Sequence, residues 1–265
     1  MGWLLGLAAV SAAMGADAQE AEPAPAEVAR SAEETRLING PSGAPSVVLE
    51  AGLGSPISAW GDIPDRMAGF ATVFAYTRAG YGGAPMLESD ADGARTSDEV
   101  ARRLRALLQA SGAPRPYILV GHSLGALYVL KFAELYPADV AAIVLLDGRL
   151  KGFTRPCQAL GGCRTLLNLP TDESPVVLAE LRGLLASEAL APEPETLGAI
   201  PVTVVSRSPG TAPVDRLWAD TQRDFASRLR RGRLVVAPNS GHDVPGDAPD
   251  LVLAETRALV EQIRR

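Results

Sequence analysis

The sequence is poor in side chains that bind metal ions. Its 265 residues include two histidines, His122 and His242, and two cysteines, Cys157 and Cys163. The two cysteines are separated by five residues, a spacing that resembles no common zinc site. We therefore predict that the protein contains no metal centre, and nothing in the sequence indicates another cofactor.

Positive charge is also scarce. The chain has 25 Lys and Arg residues against 31 Asp and Glu residues, which gives a net charge of −6 at pH 7. A mildly acidic surface has no electrostatic reason to bind nucleic acid or anionic lipid. The 47% of hydrophobic residues and 21% of charged residues are typical of a globular core, and they exclude a disordered or coiled-coil chain.

The sequence lacks an apolar run long enough to span a bilayer comfortably. The apolar run from Trp3 to Met14 is too short for that, and Ala16-Asp17-Ala18 follows it with the form of a signal-peptidase site. We predict a signal peptide over residues 1–18 and a periplasmic or extracellular protein whose mature chain has no stable membrane span. No Lys or Arg precedes the run, so a frayed terminal helix is the alternative.

Residues 19–44 are rich in Ala, Glu and Pro and show no hydrophobic period, which predicts a flexible N-terminal segment. Export would also allow Cys157 and Cys163 to form a small disulfide loop. Two reduced thiols are the alternative if the chain is not exported. The sequence gives no indication of the oligomeric state.

Residues 45–265 alternate between short apolar runs and helical stretches, which predicts an α/β domain. Continuous apolar runs are typical of strands covered on both faces. The runs cover residues 46–49, 72–76, 117–120, 140–146, 202–205 and 234–236. Alternation of this kind predicts a mostly parallel central sheet with helices on both faces. Residues 148 to about 199 interrupt the alternation, and we predict that they form an inserted lid.

One helix carries clear boundary signals. Thr96 and Glu99 have the spacing of a capping box, and Gly112 with Pro114 marks the end of the helix.

A nucleophile is predicted at Ser123, within Gly121-His122-Ser123-Leu124-Gly125. A bare Gly-x-Ser-x-Gly motif is weak evidence, but this one follows a predicted strand and precedes a predicted helix. That is the context of a nucleophile elbow, whose tight turn requires glycines and exposes the serine hydroxyl. The alternative is an ordinary glycine-rich turn whose serine has no catalytic role.

A serine hydroxyl needs a neighbouring base, and the chain offers only two histidines. His122 lies inside the elbow, where its side chain should point away from Ser123, and we interpret it as a structural residue. His242 follows the last predicted strand, in a loop that would face the elbow. We predict that His242 is the base.

The acid that orients His242 is less well determined. Asp147 directly follows the strand over residues 140–146, while Asp215 is the first acid after the strand over residues 202–205. We favour Asp147 and keep Asp215 as the alternative. Asp243 is too close to His242 in sequence to orient it easily, and Asp220 lies in a helical stretch.

Attack of a serine on an acyl carbon also needs two N–H groups that bind the developing oxyanion. The residue after the nucleophile, Leu124, supplies one candidate. The loop after the first core strand supplies the other, where Leu53 is best placed within Gly52-Leu53-Gly54. An ordinary turn would suit the same glycines.

These motifs together resemble the α/β-hydrolase superfamily, and most closely its bacterial esterase-like branch. The similarity covers most of residues 45–265 apart from the predicted lid. It is carried by the runs 47–54, 75–82, 116–125, 144–147, 218–222 and 240–242. The resemblance implies a Ser-acid-His triad with an oxyanion hole formed by Leu53 and Leu124.

The chain departs from the superfamily pattern at three points. Ala51 stands where the superfamily often has His. Thr77 directly precedes Arg78, at a position where the superfamily commonly has Asp. The usual opening β-hairpin is hard to find before residue 45, so the sheet could be shortened.

The predicted function is hydrolysis of a small-molecule carboxylic ester through an acyl-enzyme on Ser123. Acyl transfer, amide cleavage and carbon–carbon cleavage are alternatives on the same residues, because one fold hosts many reactions. A non-catalytic binding protein is a further alternative. The presence of both Ser123 and His242 argues against it.

Overall fold

A computed structural model of the protein describes residues 34–91, 93–163 and 174–264. The predicted signal peptide and the first part of the predicted flexible segment lie outside these residues. One sheet of seven strands forms the centre of the described chain. The strands are β1 (Thr35–Ile38), β2 (Ser46–Glu50), β3 (Thr72–Tyr76), β4 (Tyr117–His122), β5 (Val140–Leu146), β6 (Val202–Ser206) and β7 (Gly232–Val236).

The sheet is parallel apart from one edge. Its strand order is β1-β3-β2-β4-β5-β6-β7, and only β1 pairs in the antiparallel sense, with β3. Every residue of β2, β3 and β6 is buried, as expected for strands covered on both faces. The six predicted strands and the predicted fold class are confirmed.

Strand β1 was not expected from the sequence. It lies inside the segment over residues 19–44 that the sequence predicts to be flexible. The prediction of flexibility is therefore wrong for residues 35–38. The strand has four residues that are mostly exposed, so no hydrophobic alternation marks it. It forms through backbone pairing with β3, from Thr35 opposite Tyr76 to Ile38 opposite Val73.

Helices cover both faces of the sheet. In the chain as described they are α1 (Ile63–Met67), α2 (Ser97–Ser111), α3 (Gly125–Leu135), α4 (Thr154–Ala159), α5 (Pro175–Leu190), α6 (Pro213–Arg228), α7 (Val244–Asp247) and α8 (Pro249–Ile263). Helices α2, α3 and α6 pack on one face, and α1 and α8 pack on the other. Complete burial of a leucine such as Leu104 stabilises the fold by roughly 2 kcal/mol.

The predicted boundaries of α2 are partly correct. Thr96 is the N-cap residue and Gly112 ends the helix with a φ of 71°, in the left-handed region that glycine favours. The predicted capping box is only half formed. The Thr96 side chain makes no cap hydrogen bond, while the Glu99 side chain bonds to the Thr96 backbone.

Residues 148–199, called the insertion below, connect β5 to β6. The described parts contain α4, α5 and a short 3₁₀ helix over Pro194–Leu197, while residues 164–173 are not described. A disulfide bond joins Cys157 to Cys163 and closes a loop at the end of α4. Within the described ranges, no helix is long and apolar enough to cross a membrane.

Candidate active site

Ser123 lies in a sharp turn between β4 and α3. Its φ of +52° is unusual for a residue with a side chain and marks a strained elbow. The flanking glycines are required by close packing. A Cβ on Gly121 would come within 2.7 Å of the Val129 side chain, and a Cβ on Gly125 would come within 2.4 Å of the Glu50 carbonyl oxygen. The turn therefore fixes the serine at the carboxyl end of the sheet.

His242 reaches Ser123 from the loop between β7 and α7. Its Nε2 lies 2.8 Å from Ser123 Oγ, and its Nδ1 lies 2.5 Å from Asp147 Oδ2. With a proton on Nδ1 donated to Asp147, Nε2 is free to accept the serine proton. The structure thus places the His242 imidazole beside the Ser123 hydroxyl and the Asp147 carboxylate beside that imidazole.

Asp147 is fully buried at the end of β5. Its Oδ1 accepts hydrogen bonds from Trp218 Nε1 at 2.7 Å and from the Arg207 backbone N–H at 3.1 Å. Its own N–H donates to the Val205 carbonyl oxygen at 2.7 Å. These bonds hold the carboxylate with Oδ2 directed at His242.

Asp215, the alternative acid, lies elsewhere. Its Oδ1 is 3.1 Å from Arg207 Nη2, and Arg207 Nη1 is in turn 3.4 Å from Asp147 Oδ2. Asp215 makes no contact with His242 within the described chain. The structure therefore brings Asp147 to His242 and places Asp215 against Arg207, as a second carboxylate partner of that arginine.

Leu53 and Leu124 lie beside the nucleophile, as predicted. Both line the same cavity as Ser123. Neither backbone N–H donates a hydrogen bond to any other described residue. The loop before Leu53 touches the elbow, since a Cβ on Gly52 would lie 3.2 Å from the Ser123 Cβ. Both residues therefore line the cavity at Ser123 and keep a backbone donor that no other described residue uses.

A cavity of about 260 Å³ opens onto Ser123. Helix α5 of the insertion forms one wall, and most of the lining side chains are apolar. The lining residues are Leu53, Ser123, Leu124, Arg149, Cys163, Val177, Glu180, Leu181 and Leu184. A mostly apolar cleft with a few polar groups is typical of a small-molecule site.

The geometry agrees with comparisons to known proteins. The model of the alpha/beta hydrolase family matches residues 47–255. The chain belongs to the alpha/beta hydrolase family. The resemblance drawn from the motifs is therefore confirmed.

This alpha/beta hydrolase is similar in sequence to two bacterial proteins and in fold to a solved esterase. It is 28% identical to the uncharacterized protein YqjL of Bacillus subtilis over 82% of this chain and 84% of that protein. It is 37% identical to the putative carbamate hydrolase RutD of Escherichia coli, over 43% of this chain and 42% of that protein. A thermophilic esterase from Thermogutta terrifontis shares the fold, with a TM-score of 0.66, 17% identity and coverage of 88% and 94% of the two chains.

Two residues that hold Asp147 were missed by the sequence analysis. Arg207 and Trp218 lie 60 and 71 residues from Asp147 along the chain. Trp218 also packs perpendicular to the His242 ring, with ring centroids 5.5 Å apart. The one available signal was that Trp218 begins a stretch that resembles the superfamily. No periodicity links either residue to the site.

His122 has the structural role predicted for it. Its Nε2 lies 2.9 Å from the His242 carbonyl oxygen, so a neutral ring that donates from Nε2 supports the loop that carries the base. Burial lowers the pKa of His122 below its usual value of about 6.5. The ring therefore stays neutral under conditions in which an exposed histidine takes up a proton.

This burial predicts a pH dependence of stability. When the pH falls through about 6.5, His122 becomes protonated in the unfolded chain but stays neutral in the folded protein. The free energy of unfolding should therefore fall. We expect urea titrations between pH 7.5 and 5.5 to show this loss, and a smaller loss in His122→Gln. The glutamine amide can still donate to the His242 carbonyl but does not titrate. Equal pH slopes in the two proteins, or a His122 ring that titrates above pH 6.5 by NMR, would contradict the assignment.

Proposed function

We propose that this alpha/beta hydrolase is a serine hydrolase that cleaves small carboxylic esters. The supporting observation is the continuous hydrogen-bonded chain from Ser123 Oγ through the His242 ring to the buried Asp147 carboxylate. A serine hydroxyl in contact with an oriented imidazole is activated for attack on a carbonyl carbon.

Acylation begins when His242 Nε2 removes the proton from Ser123 Oγ as this oxygen attacks the ester carbonyl carbon. The carbonyl oxygen becomes an oxyanion and receives hydrogen bonds from the Leu53 and Leu124 N–H groups. Collapse of the tetrahedral intermediate breaks the bond to the alcohol oxygen. His242 Nε2 returns its proton to this leaving oxygen, so an alcohol departs and an ester on Ser123 remains.

Deacylation repeats the sequence with water. His242 removes a proton from the water as its oxygen attacks the acyl carbon, and the same N–H groups hold the new oxyanion. Collapse releases Ser123 Oγ, which recovers its proton from His242, and a carboxylic acid leaves. Asp147 keeps the ring oriented and stabilises its positive charge in both halves.

The size and lining of the cavity support a substrate class. A volume of about 260 Å³ bounded by Leu124, Val177, Leu181 and Leu184 suits a short apolar acyl or alcohol group. We propose that the insertion acts as a lid, because α5 lines the cavity at Ser123 and supplies three of these apolar side chains. The esterase of Thermogutta terrifontis with the same fold supports ester cleavage, and the relation to RutD makes carbamates the second class to examine.

The test compares substrates under one set of conditions. We expect p-nitrophenyl butyrate to be hydrolysed with a kcat/KM about tenfold or more above that of p-nitrophenyl laurate, since the longer chain exceeds the cavity. A fluorophosphonate probe should label one residue, Ser123, as shown by peptide mapping. An aryl carbamate, an anilide and an added alcohol acceptor report carbamate cleavage, amide cleavage and acyl transfer. Probe labelling without turnover of any ester would reject the proposal in favour of one of these.

A further inference from the structure

A buried charged cluster joins the insertion to the loop that carries Leu53. Arg78, two residues after β3, is 3% exposed, and Glu180 in α5 is 1% exposed. Arg78 Nε lies 2.7 Å from Glu180 Oε1, and Arg78 Nη2 lies 3.1 Å from Glu180 Oε2. A paired arginine and carboxylate of this kind form a directional contact, which is well suited to fixing positions. The triad chemistry makes no use of it.

The same guanidinium grips the loop after β2. Arg78 Nη1 donates to the Ala51 carbonyl oxygen at 2.8 Å, and Arg78 Nη2 donates to the Gly52 carbonyl oxygen at 2.7 Å. In a trans peptide the carbonyl and the following N–H point in opposite directions. Arg78 therefore directs the Leu53 N–H away from the guanidinium, on a loop whose Gly52 already touches Ser123.

Tyr81 holds the other side of Leu53. The Gly54 N–H donates to Tyr81 Oη at 3.2 Å, and the Tyr81 hydroxyl donates to Glu180 Oε2 at 2.7 Å. Burial, together with the negative charge of Glu180, raises the pKa of Tyr81, so the hydroxyl keeps the proton that it donates. Both peptide groups that flank Leu53 are thus tied to one carboxylate of the insertion.

A separate contact seats α5 against this region. Gly80 has a φ of +87°, and a Cβ there would lie 2.9 Å from the Val176 Cβ. Helix α5 therefore packs directly on the turn that joins Arg78 to Tyr81. The same helix lines the substrate cavity through Val177 and Leu181.

We propose that Arg78 and Tyr81, which both bond to Glu180 of the insertion, are positioning residues that hold the Leu53 N–H in the oxyanion hole. The inference depends on the proposed function. It makes the insertion part of the catalytic apparatus as well as a wall of the cavity, because its seating fixes one oxyanion donor. Such a donor is effective only if it is held in place before the reaction.

The first test uses Tyr81→Phe with Tyr128→Phe as its matched control. The Tyr128 ring also lies beside Arg78, 5.4 Å from its Cζ, but its buried hydroxyl has no hydrogen-bond partner among the described residues. We expect Tyr81→Phe to lower kcat about tenfold with little change in KM, because the donor is loosened rather than removed. Tyr128→Phe should keep the parental kcat.

The second measurement is the ratio of kcat/KM for an ester to that for its thionoester. Sulfur is a weaker hydrogen-bond acceptor than oxygen, so thionoester cleavage depends less on the oxyanion donors. We expect Tyr81→Phe to lower this ratio by about the same tenfold factor and Tyr128→Phe to leave it unchanged. The ratio cancels the concentration of folded enzyme, so it stays valid for a variant that folds only in part.

Two arginine-to-lysine variants, which keep the positive charge, extend the test. Arg78→Lys keeps the positive charge, but one ammonium cannot reach two carbonyl oxygens and both carboxylate oxygens. We expect about a hundredfold loss of kcat and a lower ester-to-thionoester ratio. Arg95→Lys makes the same change in the same cluster. Arg95 contacts Glu180, Asp90 and the Ala79 carbonyl but no atom of residues 51–54, so the ratio should be parental.

The outcomes separate the two proposals. Parental ratios in both Tyr81→Phe and Arg78→Lys, whatever their activity, would overturn the positioning role and leave a merely structural cluster. A lower ratio in Arg95→Lys equal to that in Arg78→Lys would also overturn it. If the parent protein cleaves neither ester nor thionoester and no probe labels Ser123, then the proposed function fails and the positioning role fails with it.

Discussion

Ser123→Ala should lower kcat for a short acyl ester by a factor on the order of 10⁴–10⁶ with little change in KM. Removal of Oγ leaves no atom to form the acyl-enzyme, while the cavity that binds the substrate is untouched. The residual rate would come from water attack aided by the Leu53 and Leu124 N–H groups. Steady-state kinetics at several enzyme concentrations, with burst analysis of the parent, measure the effect.

The substitution should leave the fold intact. Among the described residues, the hydroxyl of Ser123 has its one hydrogen-bond partner in the exposed ring of His242, and alanine adopts the same positive φ at no greater strain. Ser208→Ala is a matched control, because it removes a hydroxyl at the same edge of the sheet that donates to the Ala237 carbonyl. The control should keep kcat within about twofold. Parental activity in Ser123→Ala would refute the acyl-enzyme mechanism.

The sheet and the elbow could be predicted because their causes are local. A continuous apolar run is needed wherever a strand is covered on both faces, and all six such runs form strands. The turn at Ser123 needs Gly121 and Gly125 because the Val129 side chain and the Glu50 backbone leave no space for a Cβ. Each of these requirements is visible in a few neighbouring residues. Strand β1 has no such requirement, since its four residues are mostly exposed, and it was missed.

The contacts between distant segments could not be predicted in this way. Glu180 lies 102 residues from Arg78, inside an insertion whose sequence carries no motif. Thr77, which replaces a common Asp, accepts a hydrogen bond from the Ile57 N–H, and nothing in the sequence identifies that partner. The choice between Asp147 and Asp215 is of the same kind. Both come after strands that end at the same edge, and the sequence does not show that Asp147 contacts His242 while Asp215 contacts Arg207.

Asp147→Asn should lower kcat by a factor on the order of 10³–10⁴. The asparagine can present its carbonyl oxygen to Trp218 Nε1 and the Arg207 N–H, which turns its NH₂ group toward His242 Nδ1. The ring must then accept at Nδ1 and carry its proton on Nε2. A ring in this tautomer cannot take the proton of Ser123, although substrate binding should be preserved.

Asp215→Asn is the matched control, since it makes the same change on the other carboxylate partner of Arg207. Its side chain is about one-third exposed, and it is 3.1 Å from Arg207 Nη2. Loss of a partly solvated ion pair has a small effect, so kcat should stay within about threefold of the parent. Parallel measurements of kcat, KM and thermal midpoint separate a chemical defect from a folding defect.

The two variants together decide which carboxylate is the acid. A large loss in Asp147→Asn with a nearly parental Asp215→Asn assigns the acid to the end of β5, where the Asp147 carboxylate is fully buried against His242. The reverse result would mean that the His242 loop rearranges when substrate binds. Equal large losses would mean that Arg207, held by both carboxylates, is needed to keep Asp147 in place. In that last case the His242 ring would be oriented by the linked residues Asp147, Arg207 and Asp215 together, and not by Asp147 alone.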